Sequence, residues 1–214
     1  MSTPAKNSSA NAASQLGLSL RELRKQRGMT LAEASALAGM PVSTLSKIEN
    51  NRMSVSYDKM VRIARALGVD IGQLFSSEPS VAVSASPVPS GRRSITRAGA
   101  GYAIETPNYA HLYPAADLLN KQIVPIIAEI RARSLKEFGE LVRHEGEEYA
   151  YVLEGTVDLY TDLYAPLRLE TGDSIYFDSG MGHAYIAVGE APCRVLSICS
   201  ADPQHLASRA RPGP

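Results

Sequence analysis

MTLAEASALAGMPVSTLSKIEN, residues 29–50, decides the first half of the fold. Leu31, Ala34 and Leu37 recur at helical spacing, and Leu45 and Ile48 resume it after an interruption at Gly39-Met40-Pro41. Glycine tolerates the left-handed backbone that a tight turn demands, so Gly39 marks the turn. Thr30 followed by Glu33 has the spacing of a capping box, in which each residue's side chain satisfies the other's backbone N–H. The stretch therefore predicts two short helices, 30–38 and 42–49. On the second, Leu45 and Ile48 face inward and leave Ser43, Thr44, Ser46 and Lys47 outward.

The same spacing extends on both sides. Leu20 and Leu23 precede the pair; Met60, Ile63, Ala64 and Leu67 follow, then Ile71 and Leu74. Breakers at Gly28, Asn50-Asn51 and Gly68 complete a prediction of five helices over 18–27, 30–38, 42–49, 57–67 and 71–75. This third of the chain is basic: Arg21, Arg24, Lys25, Arg27, Lys47, Arg52, Lys59, Arg62 and Arg65 outnumber Glu22, Glu33, Glu49, Asp58 and Asp70. The stretch from Glu137 to Asp178 is mainly acidic, so a formal net charge of +0 hides two opposite halves. Such asymmetry fits a nucleic-acid module joined to a different one. Short hydroxyl side chains permit close approach to a groove, and Lys47 can reach a guanine edge or a phosphate.

The segments Met29-Thr-Leu-Ala-Glu, Ala38-Gly-Met and Ser43-Thr-Leu-Ser-Lys-Ile-Glu49-Asn resemble the XRE (Cro/C1-type) helix-turn-helix family over residues 16–75. The resemblance implies a five-helix domain that binds operator DNA as a homodimer, with Val42, Ser43 and Lys47 nearest the bases. Thr44 shares that face, and Asn50, Asn51 and Arg52 follow it as candidate phosphate contacts or a plain helix stop. It also implies that Glu49 pairs with Arg24 rather than facing DNA. Leu31 stands where the family often has a phosphate-touching glutamine. Val42 replaces a frequently polar base reader and would meet a thymine methyl instead.

Residues 76–95, rich in Ser, Pro and small side chains, read as a flexible linker. Beyond them the period falls towards two, predicting strands over 123–130, 138–143, 149–153, 156–163, 174–177, 184–188 and 194–199. The fold class expected is therefore multidomain, an all-α domain followed by an all-β sandwich or barrel over 96–202. HEGEEYAYVLEG (144–155) and GDSIYFDSGMGH (172–183) resemble the two motifs of cupin domains, which are small jelly-roll-like barrels. The resemblance places His144, Glu148 and His183 inside the barrel. It also exposes a departure, because Val142 stands where a first motif histidine belongs and Gly182 where a proline is common.

Two histidines and a carboxylate suffice for a divalent metal ion with open positions. The same three residues can instead hydrogen-bond an organic effector, or one another. Tyr185 shares the face of His183 on a regular strand and joins the candidate effector-binding set, whereas Glu147 is a one-residue register alternative to Glu148. Tyr149 and Tyr151 point outward and Val152 inward on the same reading. His111 and His205 fall outside both motifs and read as surface residues, as do Arg131 and Arg133. Cys193 and Cys199 fit no disulfide or zinc spacing and read as buried thiols.

No apolar run is long enough to span a membrane, and the polar residues 1–15 read as a disordered tail without a secretory core. Residues 203–214 read as a second tail. The expectation is a cytoplasmic, non-enzymatic regulator controlled by a small molecule, more naturally a repressor. Three alternatives stand beside it: a barrel that only dimerises, a cupin enzyme with a vestigial DNA-binding domain, and an antitoxin-like repressor with a protein partner.

Overall fold

A computed structural model describes residues 6–75 and 91–200, with side chains from residue 15 onward. The chain divides into two compact units. One holds the residues up to Glu105 together with Ala115–Asn120; the other holds Thr106–Pro114 and the residues from Lys121. The helix-rich unit therefore keeps residues 91–105, where the sequence pattern places linker and then barrel. Residues 76–90, the greater part of the expected linker, and the tail at 203–214 lie outside the described residues.

In the first unit, α1 (Lys6–Gln26), α2 (Leu31–Leu37), α3 (Val42–Glu49) and α4 (Tyr57–Leu67) are followed by a short 3-10 helix, Ile71–Phe75. The first helix begins well before the expected position 18, so residues 6–15 are helical rather than a tail. No proline interrupts 6–26, and alanines at 10, 12 and 13 favour helix. The capping box at Thr30 and Glu33 is present with both of its hydrogen bonds. Leu37, expected inward, is exposed, while Ala34 and Ala38 carry the buried edge of α2. Spacing alone admitted both positions, but a short helix crossing α3 closely uses the smaller side chains.

Leu20, Leu45, Met60, Ile63 and Leu74 form the centre of this core. The turn between α2 and α3 is held from outside, since Arg62 on α4 donates to the carbonyls of Ala38 (2.9 Å) and Gly39. Gly39 sits at φ +59°, as its turn requires. Residues 91–105 and 115–120 add a small cap. Arg92 donates to the carbonyls of Leu119 and Asn120, Ser94 to Asp117, and strand β1 (Tyr102–Glu105) brings Tyr102 against Phe75 at 4.6 Å between ring centres. Asp70 accepts from the backbone N–H groups of both Gly72 and Asn120.

The second unit is an antiparallel β-sandwich. One sheet runs β2 (Tyr109–Tyr113), β3 (Ile123–Ile130), β9 (Arg194–Ser200), β4 (Glu147–Glu154) and β7 (Ser174–Asp178) in spatial order. The other runs β6 (Leu167–Glu170), β5 (Thr156–Thr161) and β8 (His183–Ala187). Val152, Val157, Leu159, Val195 and Ala184 fill the space between them. The strand expected over 138–143 does not form. Its start closes a one-turn helix, α5 (Leu135–Phe138), capped by Ser134, and only Val142 pairs, as a single bridge to His183. Strands β2 and β6 were not expected from the sequence pattern. Among the described residues no helix is long and apolar enough to cross a membrane.

The charged pair expected in the helical core is there. Arg24 Nε and Nη2 donate to the two carboxylate oxygens of Glu49 at 2.7 and 2.9 Å, both side chains are buried, and Arg24 also caps the Met29 carbonyl. Removing one partner strands the other in an apolar core. Arg24→Ala is expected to cost about 3 kcal/mol in urea denaturation; a loss below about 0.5 kcal/mol would mean the pair behaves as an exposed one.

Candidate functional site

The outward face of α3 presents Val42, Ser43 and Lys47 to solvent, with Thr44 and Ser46 half-buried beside them. Pro41 precedes the helix without a side-chain cap, so its first N–H groups are open towards an anion. Arg52 is exposed just beyond the helix. Asn50 and Asn51 behave as a helix stop. The Asn50 side-chain amide donates to the Ser46 carbonyl at 2.8 Å, and Asn51 adopts φ +56° with its side chain lying against Gly17 of α1. Glu49 is turned inward by Arg24 and leaves this surface free of its negative charge.

The interior of the sandwich gathers around Glu148. Along β4 alternate residues are buried, which brings Glu148, Ala150 and Val152 in and leaves Glu147, Tyr149 and Tyr151 out. The register question is thus settled for Glu148. Its Oε1 accepts from Tyr185 Oη (2.8 Å) and Ser197 Oγ (2.7 Å). Its Oε2 lies 3.1 Å from His144 Nε2, 3.7 Å from His183 Nε2 and 3.8 Å from Cys199 Sγ. Burial pushes this carboxyl up. The hydrogen bond from His144, the charges of His183 and His144, and Ser197 outweigh it and hold the group down at about 2. Burial beside the same carboxylate drives the Tyr185 phenol upward, keeping it a neutral donor.

His144 is positioned by a loop clasp: its N–H donates to the Ser179 carbonyl and Ser179 N–H to that of Gly146, both at 3.0 Å. His183 opens β8, and its Nδ1 lies 2.9 Å from the Met181 carbonyl. A carbonyl only accepts, so Nδ1 carries the proton and Nε2 faces Glu148. Beside Gly182 the guanidinium of Arg143 pairs with Asp162 across the loop at 2.5 Å, and a Cβ at 182 would displace it.

Val142, half-buried, packs on the apolar core beside His183 and supplies no ligand atom. His111 is not a surface residue. It lies in the middle of β2, where Tyr109, His111 and Tyr113 alternate inward, and its ring stacks on Tyr109 at 5.0 Å. Tyr109 in turn accepts the N–H of Tyr185. Ser197 and Cys199, missed as site residues, face inward from β9, with Cys199 opposite Glu148 in register. Their separation by two on an expected strand was the available signal. Arg131 lies 3.9 Å from Glu129 and Arg133 donates to the Gly189 carbonyl, so both are edge residues; His205 lies outside the described residues.

Together these features define a two-module protein: a helix-turn-helix unit with an open recognition surface, and a jelly-roll-like barrel built around a buried carboxylate. The comparisons agree. A helix-turn-helix family model matches residues 20–74 and a cupin-domain model residues 136–199. The chain thus carries a helix-turn-helix domain followed by a cupin domain. It is 24% identical over 186 residues to the HTH-type transcriptional regulator PuuR of Escherichia coli (strain K12), covering 85% of this chain and 92% of that protein. A solved HTH_3 family transcriptional regulator from Vibrio cholerae shares the fold with a TM-score of 0.58 and 24% identity, over 90% of this chain and 98% of its own. Apo-HppE aligns over 87% of this chain and 98% of its own at a TM-score of only 0.44 and 19% identity, which fixes nothing about chemistry.

Burial lowers His111 to about 4, against a smaller upward pull from Glu148. In the unfolded chain the imidazole takes its proton near pH 6.5, so folded His111 refuses a proton the unfolded state accepts. Stability is therefore expected to fall as pH drops from about 6.5 towards 4, by up to roughly 3 kcal/mol from this group. Denaturation across that window should show a shallower slope in His111→Gln; an unchanged slope would assign the effect elsewhere.

Proposed function

We propose that the protein is a cytoplasmic, sequence-specific DNA-binding transcriptional regulator whose cupin barrel senses a small molecule. The observation that carries this is the pairing, in one chain, of a cleared recognition surface on α3 with a buried polar cluster around Glu148. Val42, Ser43, Thr44 and Lys47 read base edges, and Arg52 holds phosphate. Asn50 and Asn51 shape the helix end, which departs from a direct contact role. In the barrel, His144, Glu148, His183 and Tyr185 form the effector-binding set. His183 Nε2 lies 3.7 Å and His144 Nε2 3.1 Å from the same Glu148 Oε2. This convergence of two imidazole nitrogens on one carboxylate oxygen supports reading His144, Glu148 and His183 as ligands of a divalent metal ion. Fusion of the barrel to a DNA-binding module favours sensing over turnover.

The protein acts as a homodimer. Operators read by helix-turn-helix dimers carry two half-sites about one DNA turn apart. The outer face of the larger sheet offers the contact: Pro125, Ile198, Tyr149 and Tyr176 form one cross-strand row, and Ile127, Leu196 and Tyr151 the next. Tyr176 is 62% and Ile123 55% exposed, an apolar stripe unusual on a monomer. A charged row, Glu129, Arg194 and Glu154, borders it. Effector in the barrel biases the spacing of the paired reading heads, repression being the default outcome.

Duplexes selected from a randomised pool by the full-length chain should converge on a two-fold symmetric sequence. Lys47→Ala should weaken binding to it about tenfold, and failure to enrich any sequence would sink the reading. In light scattering the wild type is expected to be dimeric and Tyr149→Asp/Tyr176→Asp monomeric, with operator affinity reduced. A monomeric wild type would overturn the dimer.

A further inference from the structure

Position 142 is where a first cupin-motif histidine is missing, and Val142 packs against the core without offering a ligand atom. A different element, β9, delivers Cys199, 1% exposed, against the carboxylate oxygen that His144 and His183 also approach. We propose that Cys199 is a metal ligand, completing with His144, Glu148 and His183 a four-coordinate site for a borderline-soft divalent cation of the zinc class. This rests on reading the barrel as a cation-holding pocket.

Three features carry the assignment. The ligand atoms of His144, Glu148 and Cys199 all lie within 4.8 Å of one another. From Glu148 Oε2, the distances to His144 Nε2, His183 Nε2 and Cys199 Sγ are 3.1, 3.7 and 3.8 Å. Metal–ligand bonds of about 2.0–2.3 Å in a tetrahedron give edges of roughly 3.3–3.6 Å, so small shifts close a His144–Glu148–Cys199 site, while His183, outside that compact group, moves further to join as fourth ligand. Second, Glu148 is prepared as a one-oxygen ligand: Tyr185 and Ser197 hold Oε1, leaving Oε2 towards the cluster. Third, the bond from His183 Nδ1 to the Met181 carbonyl is the outer support that metal-bound imidazoles use to aim Nε2.

Binding converts the Cys199 thiol to a metal-bound thiolate and releases its proton to solvent, with no oxidant or reductant involved. A thiolate in the set changes selectivity. Hard cations such as magnesium, calcium and manganese prefer all-oxygen shells, while zinc and cobalt accept mixed nitrogen, oxygen and sulfur. The histidine lost at 142 is thus exchanged for a softer donor.

The test uses the full-length protein, reduced and stripped by chelator, then titrated with cobalt chloride. One equivalent should produce the intense visible bands of four-coordinate cobalt together with a near-ultraviolet sulfur-to-cobalt charge-transfer band. Cys199→Ser should lose the charge-transfer band and bind on the order of tenfold or more weakly, since even outer-shell changes weaken metal sites that much. Cys193→Ser, whose thiol lies outside the cluster, should retain the band. Cobalt binding in the wild type without a sulfur band would overturn the assignment of Cys199 while leaving the histidine–glutamate site standing. No cobalt binding at all would overturn both, and the operator selection described above would still stand as a separate measure of the DNA-binding function.

Discussion

A carboxylate at the centre of a β-sandwich is the constraint around which the second unit is organised. Stripping a charge of water costs many kcal/mol unless partners replace the solvent on every side. Glu148 recruits those partners from several elements at once: His144 from the loop before β4, Tyr185 and His183 from β8, Ser197 and Cys199 from β9. Both sheets are therefore fastened to one side chain. The register of β4 against β9 is consequential for the same reason, because a slip by one residue would put Glu147 inside and Glu148 in water.

The helical unit has a smaller version of the same device. Glu49 is withdrawn from the end of the recognition helix by a two-bond pairing with Arg24, which links α1 to α3 and removes a negative charge from the DNA-facing side. Arg62 does a related task with a cation, spending its donors on the turn carbonyls before α3. Several basic residues counted in the sequence are thus structural. The positive charge left exposed on and just after α3 rests on fewer residues, Lys47 and Arg52 among them.

Much of this was legible in the chain. Helices α2, α3 and α4 followed from apolar spacing and from Gly39 and Gly68, and most long strands from alternation. His144, Glu148, His183 and Tyr185 were found because two compact motifs carry three of them and parity supplies the fourth. What stayed hidden lay outside those motifs. His111 sits on a strand, β2, that the pattern did not single out, so its burial was not anticipated. Cys199 was visible as a strand residue, but only strand pairing reveals that it meets Glu148. Phe138 and its neighbours looked extended, yet a Ser134 cap and Gly139 close one helical turn there.

The division of the chain has a mechanical corollary. Residues 115–120 belong with the helices although they are flanked by β2 and β3, and Asp70 fastens the Asn120 N–H. The backbone therefore passes between the units at 105/106, again at 114/115 and again at 120/121. Strand β2, which carries His111 into the barrel, is tied by peptide bonds to the helical unit at both of its ends. A shift of this one strand is therefore passed to the helical unit along the main chain in both directions.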